Sequence, residues 1–450
     1  MIDSLGETLA KRLETLKSKR QVHELVWRNC FMLTDPVRAS GLDGPMMDAN
    51  QIAQAVSLIF DSTATDAKRT LEASIMSGMT PANSLWFTMT VNGTDDDGER
   101  WLDEASEVLW QNIHSANFDS EAADGIADCM AGWFALYVDE NRDTGGLYFE
   151  HWPMAGVYCA ASKQGGPVDI VFRCYQLTAE QCVTDFKQRG DSLPPEIIDK
   201  AKTKPDELID LCQAIYPRDV YIVGALRAKN MPIASVTFAC NHKYVIRESG
   251  YHEMPVVVAR WKKIPNSVYG VGPLLDALPD DIRTLNDIVK LEYANLDLAV
   301  SGMWIAEDDG VLNPRTVKVG PRKVIVANSV DSMKPLQPSS NFQLAETRIE
   351  KLQGQIRKTL MADQLQPQDG PAMTATEVRA RRPDPATARA DLRSPAGRVP
   401  AAADRALLRP AYRAGVFPPP PPSLGGQNFA VQYQSRWRAQ KLEEVSRSSA

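Results

Sequence analysis

The chain has 450 residues, 44% hydrophobic and 24% charged, with 50 Lys+Arg against 57 Asp+Glu for a net charge of −7. That length leaves room for about two to four domains with real cores. The composition excludes a disordered chain, a collagen-like repeat and a disulfide scaffold, and the acidic balance does not suit a nucleic-acid clamp. The net charge hides an asymmetry. Residues 379–413 hold nine Arg and three Asp, so the rest of the chain carries 41 basic against 54 acidic residues, a net of −13.

The first third reads as helical. Leu9, Leu13 and Leu16, then His23, Leu25, Val26 and Cys30, keep a helical spacing. Further helices are expected over 50–60, with Ile52, Ala53, Val56, Ile59 and Phe60 on one apolar face, over 66–79 and over 100–116. Residues 84–91 are β-branched and aromatic and close on Asn92-Gly93, a strand into a turn, with Asp95, Asp96 and Asp97 as a solvated loop tip. From about Trp133 to Arg260 the period changes to two. Short strands are expected over 136–138, 146–150, 157–159, 169–173, 219–223, 233–238, 243–247 and 255–259, as an antiparallel barrel or sandwich interrupted by a helix near 178–189.

The next section alternates long helix, β-rich piece and long helix. Leu278, Ile282, Leu285, Ile288, Val289, Tyr293 and Leu296 hold one helical face, opened by Pro279 and an Asp pair that suit a helix N-terminus. Short β pieces follow over 303–306, 316–319 and 323–326. Leu344, Ile349, Leu352, Ile356 and Leu360 then mark a second amphipathic helix. Beyond Ala380 the texture breaks: residues 383–413 contain nine Ala, six Arg and five Pro, with no Lys, Glu, Ile or Phe. An out-of-frame stretch of GC-rich coding sequence gives this composition, and so does a basic disordered arm; both readings stand. Patterned sequence resumes at Ala414, with a polyproline II run over 418–422.

No catalytic constellation emerges, and no enzyme activity, metal or cofactor is expected. There is no phosphate loop, and Gly270-Val-Gly272-Pro273 lacks the third glycine of a dinucleotide turn. The five histidines (His23, His114, His151, His242, His252) are isolated, and Cys240 with His242 reads as two side chains on one face of a strand. The seven cysteines form no C-x-x-C pair and read as reduced thiols. The start is no secretory signal and no apolar run reaches the roughly 20 residues of a membrane span, so a soluble protein made in the cytoplasm is expected. Basic residues among Glu346, Arg348, Glu350, Lys351, Arg357 and Lys358 alternate with acids, as on a solvated or inter-subunit face.

The stretch from Pro265 to Asn286 resembles a signature of the head-to-tail connector (portal) proteins of short-tailed phages, through Tyr269-Gly270, Gly272-Pro273, Leu278-Pro279 and Leu285-Asn286. Met373-Thr-Ala-Thr-Glu-Val378 looks like a second landmark of that family, and Ala414-Gly-Val-Phe417 with Ala439-Gln-Lys-Leu-Glu443 a third. The resemblance implies an α+β portal fold: a helical and β-barrel wing over 1–265, stem helix 266–302, a small α/β clip 303–341, second stem helix 342–363, and a tunnel region 364–382. Residues 383–450 would be the crown, here aberrant or disordered. It also implies a closed ring of about twelve copies at one capsid vertex of the virion, through which double-stranded DNA is packaged and ejected. Its partners would be the terminase packaging motor, capsid and scaffolding proteins and tail adaptors, with synthesis in the host bacterial cytoplasm. The tunnel region would include Gln364, Gln366, Gln368, Asp369, Gly370, Thr374, Thr376 and Glu377, with 364–373 as a mobile loop at the bore. An acidic body suits a conduit, because Lys and Arg that neutralised phosphate would hold the DNA. The alternatives are another virion structural protein or tail adaptor without a DNA channel, and, from a different class, a packaging enzyme, which would need the phosphate loop this chain lacks.

Overall fold

The computed structural model describes residues 2–91, 95–141, 145–187, 191, 193–225, 227–241, 243–277, 281–301, 303–306, 333–336, 342–362, 411–413, 415–424 and 430–433. Helix and sheet are mixed, as expected for α+β. α1 (Ile2–Met32) is one continuous helix whose two halves serve different cores. Leu9, Leu13 and Leu16 pack on one face of a sheet, while Trp27, Cys30 and Phe31 enter the main core. Leu25, expected on the apolar face, is 52% exposed, because the buried stripe drifts around so long a helix. Between the halves sits Arg20, only 1% exposed. Its guanidinium donates to the carbonyls of Met154 (2.8 Å), Ala155 (2.9 Å) and Val157 (2.7 Å) and lies 4.0 Å over the Tyr158 ring, so the buried charge is fully partnered.

α2 (Pro36–Ala39), α3 (Ala49–Ser57) and α4 (Thr63–Met79) follow. α3 opens on a capping box between Asp48 and Gln51 and ends at Ser57, short of the expected 60. Ile59 and Phe60 therefore lie beyond it, and Ala55 is its buried residue while Val56 faces solvent. β1 (Phe87–Thr90) precedes α5 (Asp96–Ser115). The three aspartates expected at a loop tip instead start this helix: the Asp95 carboxylate accepts from Gly98 N (3.0 Å), and Asp96 and Asp97 fill the first turn. Aspartates there complement the positive end of the helix dipole. α6 (Phe118–Cys129) has no counterpart in the sequence expectations, since after Phe118 its buried positions are mostly small residues, Ala122, Gly125 and Ala127 among them.

The strands are β2 (Trp133–Glu140), β3 (Leu147–Trp152), β4 (Val157–Ala160), β5 (Ile170–Thr178), β6 (Leu208–Pro217), β7 (Ile233–Ala239), β8 (Tyr244–Tyr251) and β9 (Val256–Arg260). They form two open antiparallel sheets rather than a closed barrel. One is ordered β3-β2-β9; the other is a five-stranded meander β4-β5-β6-β7-β8 whose outer strands do not pair with each other. The meander is a middle layer. Phe172, Cys212, Ala214 and Phe238 face α1, while Val171 and Ile215 on the opposite face join the main core, an alternation set by the two-residue period. Between β5 and β6, α7 (Ala179–Cys182) runs through a π turn (Val183–Lys187), and α8 (Pro195–Thr203) follows; Ala179, Cys182 and Ile197 build a small core on Leu211, Ala239 and Ile246.

The strand expected over 219–223 is a loop, and the strand is β6 just before it. Arg218 braces that loop by donating to the carbonyls of Ala228 (2.8 Å), Met231 (2.9 Å) and Ser249 (3.1 Å). The β-branched run is thereby turned outward, with Val220 87% and Val223 88% exposed. Backbone carbonyls captured by one guanidinium outweighed local strand propensity.

β10 (Lys262–Lys263) pairs with β11 (Gly270–Val271), leading into α9 (Pro273–Ala277) and α10 (Arg283–Ser301). β12 (Met303–Ala306) pairs antiparallel with β13 (Met333–Leu336), and α11 (Phe342–Thr359) follows. The expected strands over 316–319 and 323–326 and the Leu344 side chain lie outside the described residues. α11 buries Leu352, Ile356 and Leu360 as the spacing predicts, while Glu346, Arg348, Glu350, Lys351, Arg357 and Lys358 are all exposed. Within 383–450, β14 (Ala430–Tyr433) pairs with β1, Leu424 packs with Leu102 and Met89, and Ala411 joins the main core.

Candidate functional site

The residues singled out ahead of α10 meet at a crossing of two backbones. Gly272 N donates to Ala131 O (3.1 Å), Leu274 N to Met130 O (3.2 Å) and Trp261 N to Gly132 O (2.9 Å). The α6–β2 turn and the 261–274 segment thus run against each other with no side chain between them. A Cβ on Gly272 would sit 2.0 Å from Met130 O, one on Gly270 would sit 2.6 Å from Gly132 O, and one on Gly132, at φ +157°, 2.2 Å from Gly270 O. The two motif glycines are therefore required by close approach, and the partner glycine, Gly132, is a site residue that sequence reasoning missed. Its only signal was its place inside an apolar run.

Tyr269 anchors the crossing. Its ring lies 5.3 Å from both Trp27 and Trp133 and 5.6 Å from His23, and its hydroxyl accepts from Cys159 N (3.1 Å). Burial pushes the phenol well above its ordinary range, so it stays neutral and acts as a packing and hydrogen-bonding group. Pro273 then occupies the first position of α9, where its missing N–H costs nothing. Leu278 and Pro279 lie outside the described residues.

Asn286 and Leu285 perform a second joining. Leu285 is buried in the main core. Asn286 Oδ1 accepts from Phe60 N (2.7 Å) and its Nδ2 donates to Leu58 O (3.0 Å), so one amide replaces a strand partner for the α3–α4 loop. From the other side, Gln353 of α11 donates to Asp61 (2.9 Å), whose other carboxylate oxygen accepts from Thr63 N (2.9 Å) at the start of α4. Lys290 lies 5.9 Å over the Phe60 ring. The loop 58–61 is held between the two long helices, which are tied to the body and to one another through it. A cavity of about 390 Å³ opens beside Asn286, between Arg28 and Met32 of α1 and Arg283 and Asp287 of α10.

A third tie holds the body beneath this junction. The Asp128 carboxylate, at the end of α6, accepts from Arg38 (2.8 Å) and Met154 N (3.1 Å) and bonds His151 Nε2 (3.0 Å). Burial alone would raise its pKa. The His151 hydrogen bond and the Arg38 guanidinium outweigh burial and hold the carboxyl below its ordinary range. His151 is thus a structural partner, as His114 also is between Trp86 and Asp119; His242 lies outside the described residues. Among the described residues no group of three His, Cys, Asp or Glu is placed to hold a metal, and no helix is long and apolar enough to cross a membrane. The arrangement joins, positions and braces; the tunnel residues Gln364, Gln366, Gln368, Asp369, Gly370, Thr374, Thr376 and Glu377 lie outside the described residues.

The family described as bacteriophage head to tail connecting protein matches residues 6–449. The chain is 25% identical over 247 residues, 53% of its length and 44% of the relative's, to the "Probable portal protein" of Bordetella phage BPP-1. It is 26% identical over 276 residues, 60% of its length and 49% of the relative's, to the "Portal protein" of Salmonella phage epsilon15. The matched stretches span about half the length of these curated relatives. With the match running across nearly the whole sequence, this chain belongs to the bacteriophage head to tail connecting protein family.

Proposed function

We propose that copies of this chain close into a ring at one capsid vertex of the virion, as a conduit for double-stranded DNA during packaging and ejection. The ring would dock the terminase packaging motor, capsid and scaffolding proteins and the tail adaptors. The observation that carries this reading is the second half of α10. Its first half is packed into the body, but Tyr293 and Leu296, further along the same face, are 55% and 52% exposed, and Leu291 on the opposite face is 63% exposed. Such a stripe on a helix that leaves its own core is what a head-to-tail neighbour covers, and a rotation that closes on itself makes a ring. The acidic balance of the chain outside 379–413 adds support, since few free cations would hold a sliding phosphate backbone.

On this reading 1–265 forms the wing, 266–302 and 342–363 the stem, 303–341 the clip between them, 364–382 the bore, and 383–450 the crown. Negative-stain microscopy of the purified chain tests it: rings with a central hole are expected, and particles that remain single copies at high concentration overturn it. Deleting 364–373 should leave rings intact while DNA retention or packaging falls; loss of rings would sink the bore assignment alone.

A further inference from the structure

We propose that Cys174 and Cys212 are an oxidation site that closes into a cross-strand disulfide. The pairing follows from register. In the antiparallel β5–β6 ladder Cys174 stands directly opposite Cys212. Directly opposed residues have Cα atoms about 4.5–5.5 Å apart, inside the roughly 4.4–6.8 Å that a disulfide spans. No other strand pair among the described residues opposes two cysteines.

Cys240 belongs to the cluster but not to the bridge. Cys212 is opposite Phe238 on β7, and Cys240 N donates to Asp210 O (3.0 Å), which sets Cys240 two residues along on the same face. A diagonal neighbour of that kind lies about 7–8 Å away, beyond disulfide reach without backbone movement. Burial raises the fully enclosed Cys212 thiol. Cys174 and Cys240 are partly exposed at the edge of the α1–sheet layer, so a small oxidant reaches them. All three are free thiols in this structure.

The oxidant class is a hydroperoxide. Cys174 gives its proton to solvent water and attacks a peroxide oxygen; the O–O bond breaks, Cys174 sulfenic acid forms, and the leaving hydroxide takes a proton from solvent and departs as water. Cys212 sulfur then attacks the Cys174 sulfur, the S–O bond breaks, and the hydroxyl leaves with the Cys212 proton as a second water. Two thiols lose two electrons and one hydrogen peroxide becomes two waters. The bridge ties β5 to β6 across the connection that carries α7 and α8, the layer on which the first half of α1 rests.

The test treats the reduced full-length chain with hydrogen peroxide, alkylates the remaining thiols and maps non-reduced peptides by mass spectrometry. The expected result is a Cys174–Cys212 linkage, reversed by dithiothreitol, with Cys240 still alkylated and a higher melting temperature for the oxidised chain. Cys212→Ser abolishes the link; Cys174→Ser, at a partly exposed position, does the same should the first variant fail to fold. Cys240→Ser keeps the link, because Cys240 is not part of the bridge. A linkage through Cys240, or Cys174 and Cys212 left free while Cys240 goes to sulfinic acid, overturns the proposal.

Discussion

The first half of α10 and its second half carry the same apolar stripe and meet different fates. Ile282, Leu285 and Val289 are buried in the main core and Asn286 clamps the 58–61 loop, while Tyr293 and Leu296, the next steps along the same face, stand half exposed. Periodicity shows that a helix has a face to bury. It does not show whether the chain itself provides the cover. The proximal half is secured by side-chain amides that tolerate little change; the distal half has less cover among the described residues.

Substitutions along this contrast should separate folding from assembly. The largest effect is expected from Gly272→Ala, where the new methyl would lie 2.0 Å from Met130 O with backbone on both sides and nowhere to yield. A loss of about 4 kcal/mol or more is expected, read in chemical denaturation as unfolding at a much lower midpoint or as insoluble protein. Asn286→Ala removes both bonds to the 58–61 loop and leaves Phe60 N without its partner. That change should cost about 2 kcal/mol, with Asn286→Asp recovering only the part owed to the Phe60 N–H.

A smaller, pH-dependent effect belongs to Asp128. Its folded carboxyl lies below the ordinary value of 3.8, so its contribution is complete well above that pH and fades as pH falls towards the folded value. Asp128→Asn should therefore be less stable at neutral pH and show a shallower loss on acidification, measured as melting temperature against pH. Gly354→Ala tests the opposite of Gly272. Nothing lies within 4 Å of its added methyl on α11, so a gain of up to about 1 kcal/mol in stability is expected from helix propensity. The smallest effect on folding should come from Leu291→Asp with Leu296→Asp, within about 0.5 kcal/mol for the isolated chain. The same pair should abolish rings in mass photometry, and rings that persist would move the subunit contact elsewhere.

How far the sequence alone reaches is clear from particular places. The strands of the two sheets were legible wherever β-branched residues alternate between turn signals, as at 169–173 and 233–238. Residues 219–223 carry the same signal and form a loop, because Arg218 collects carbonyls from chain that is distant in register. α6 was invisible because after Phe118 its buried positions are mostly small residues; a Cβ at Gly125 would lie 2.8 Å from the Phe134 ring, and so close a helix–sheet contact leaves no room for a large residue there. Asp95, Asp96 and Asp97 looked like loop chemistry and are helix-start chemistry; a carboxylate serves either role, and only the helix beginning after it tells the two apart.

Tyr269, Gly270, Gly272 and Pro273 were recognisable by resemblance, and their residue types already demanded a tight passage into a helix. The backbone they pass against was not recoverable, since Gly132 is far away in sequence and contributes only main-chain atoms. By itself the sequence determined the kind of elements, their order and the helix–β–helix character of 266–363, because those come from spacing along the chain. The tertiary structure alone decided that two glycine segments cross without side chains, that one amide holds a loop between two helices, and which half of α10 its own fold leaves uncovered. Each is a relation between residues far apart in the chain, set by steric approach and hydrogen-bond geometry, to which local periodicity is blind.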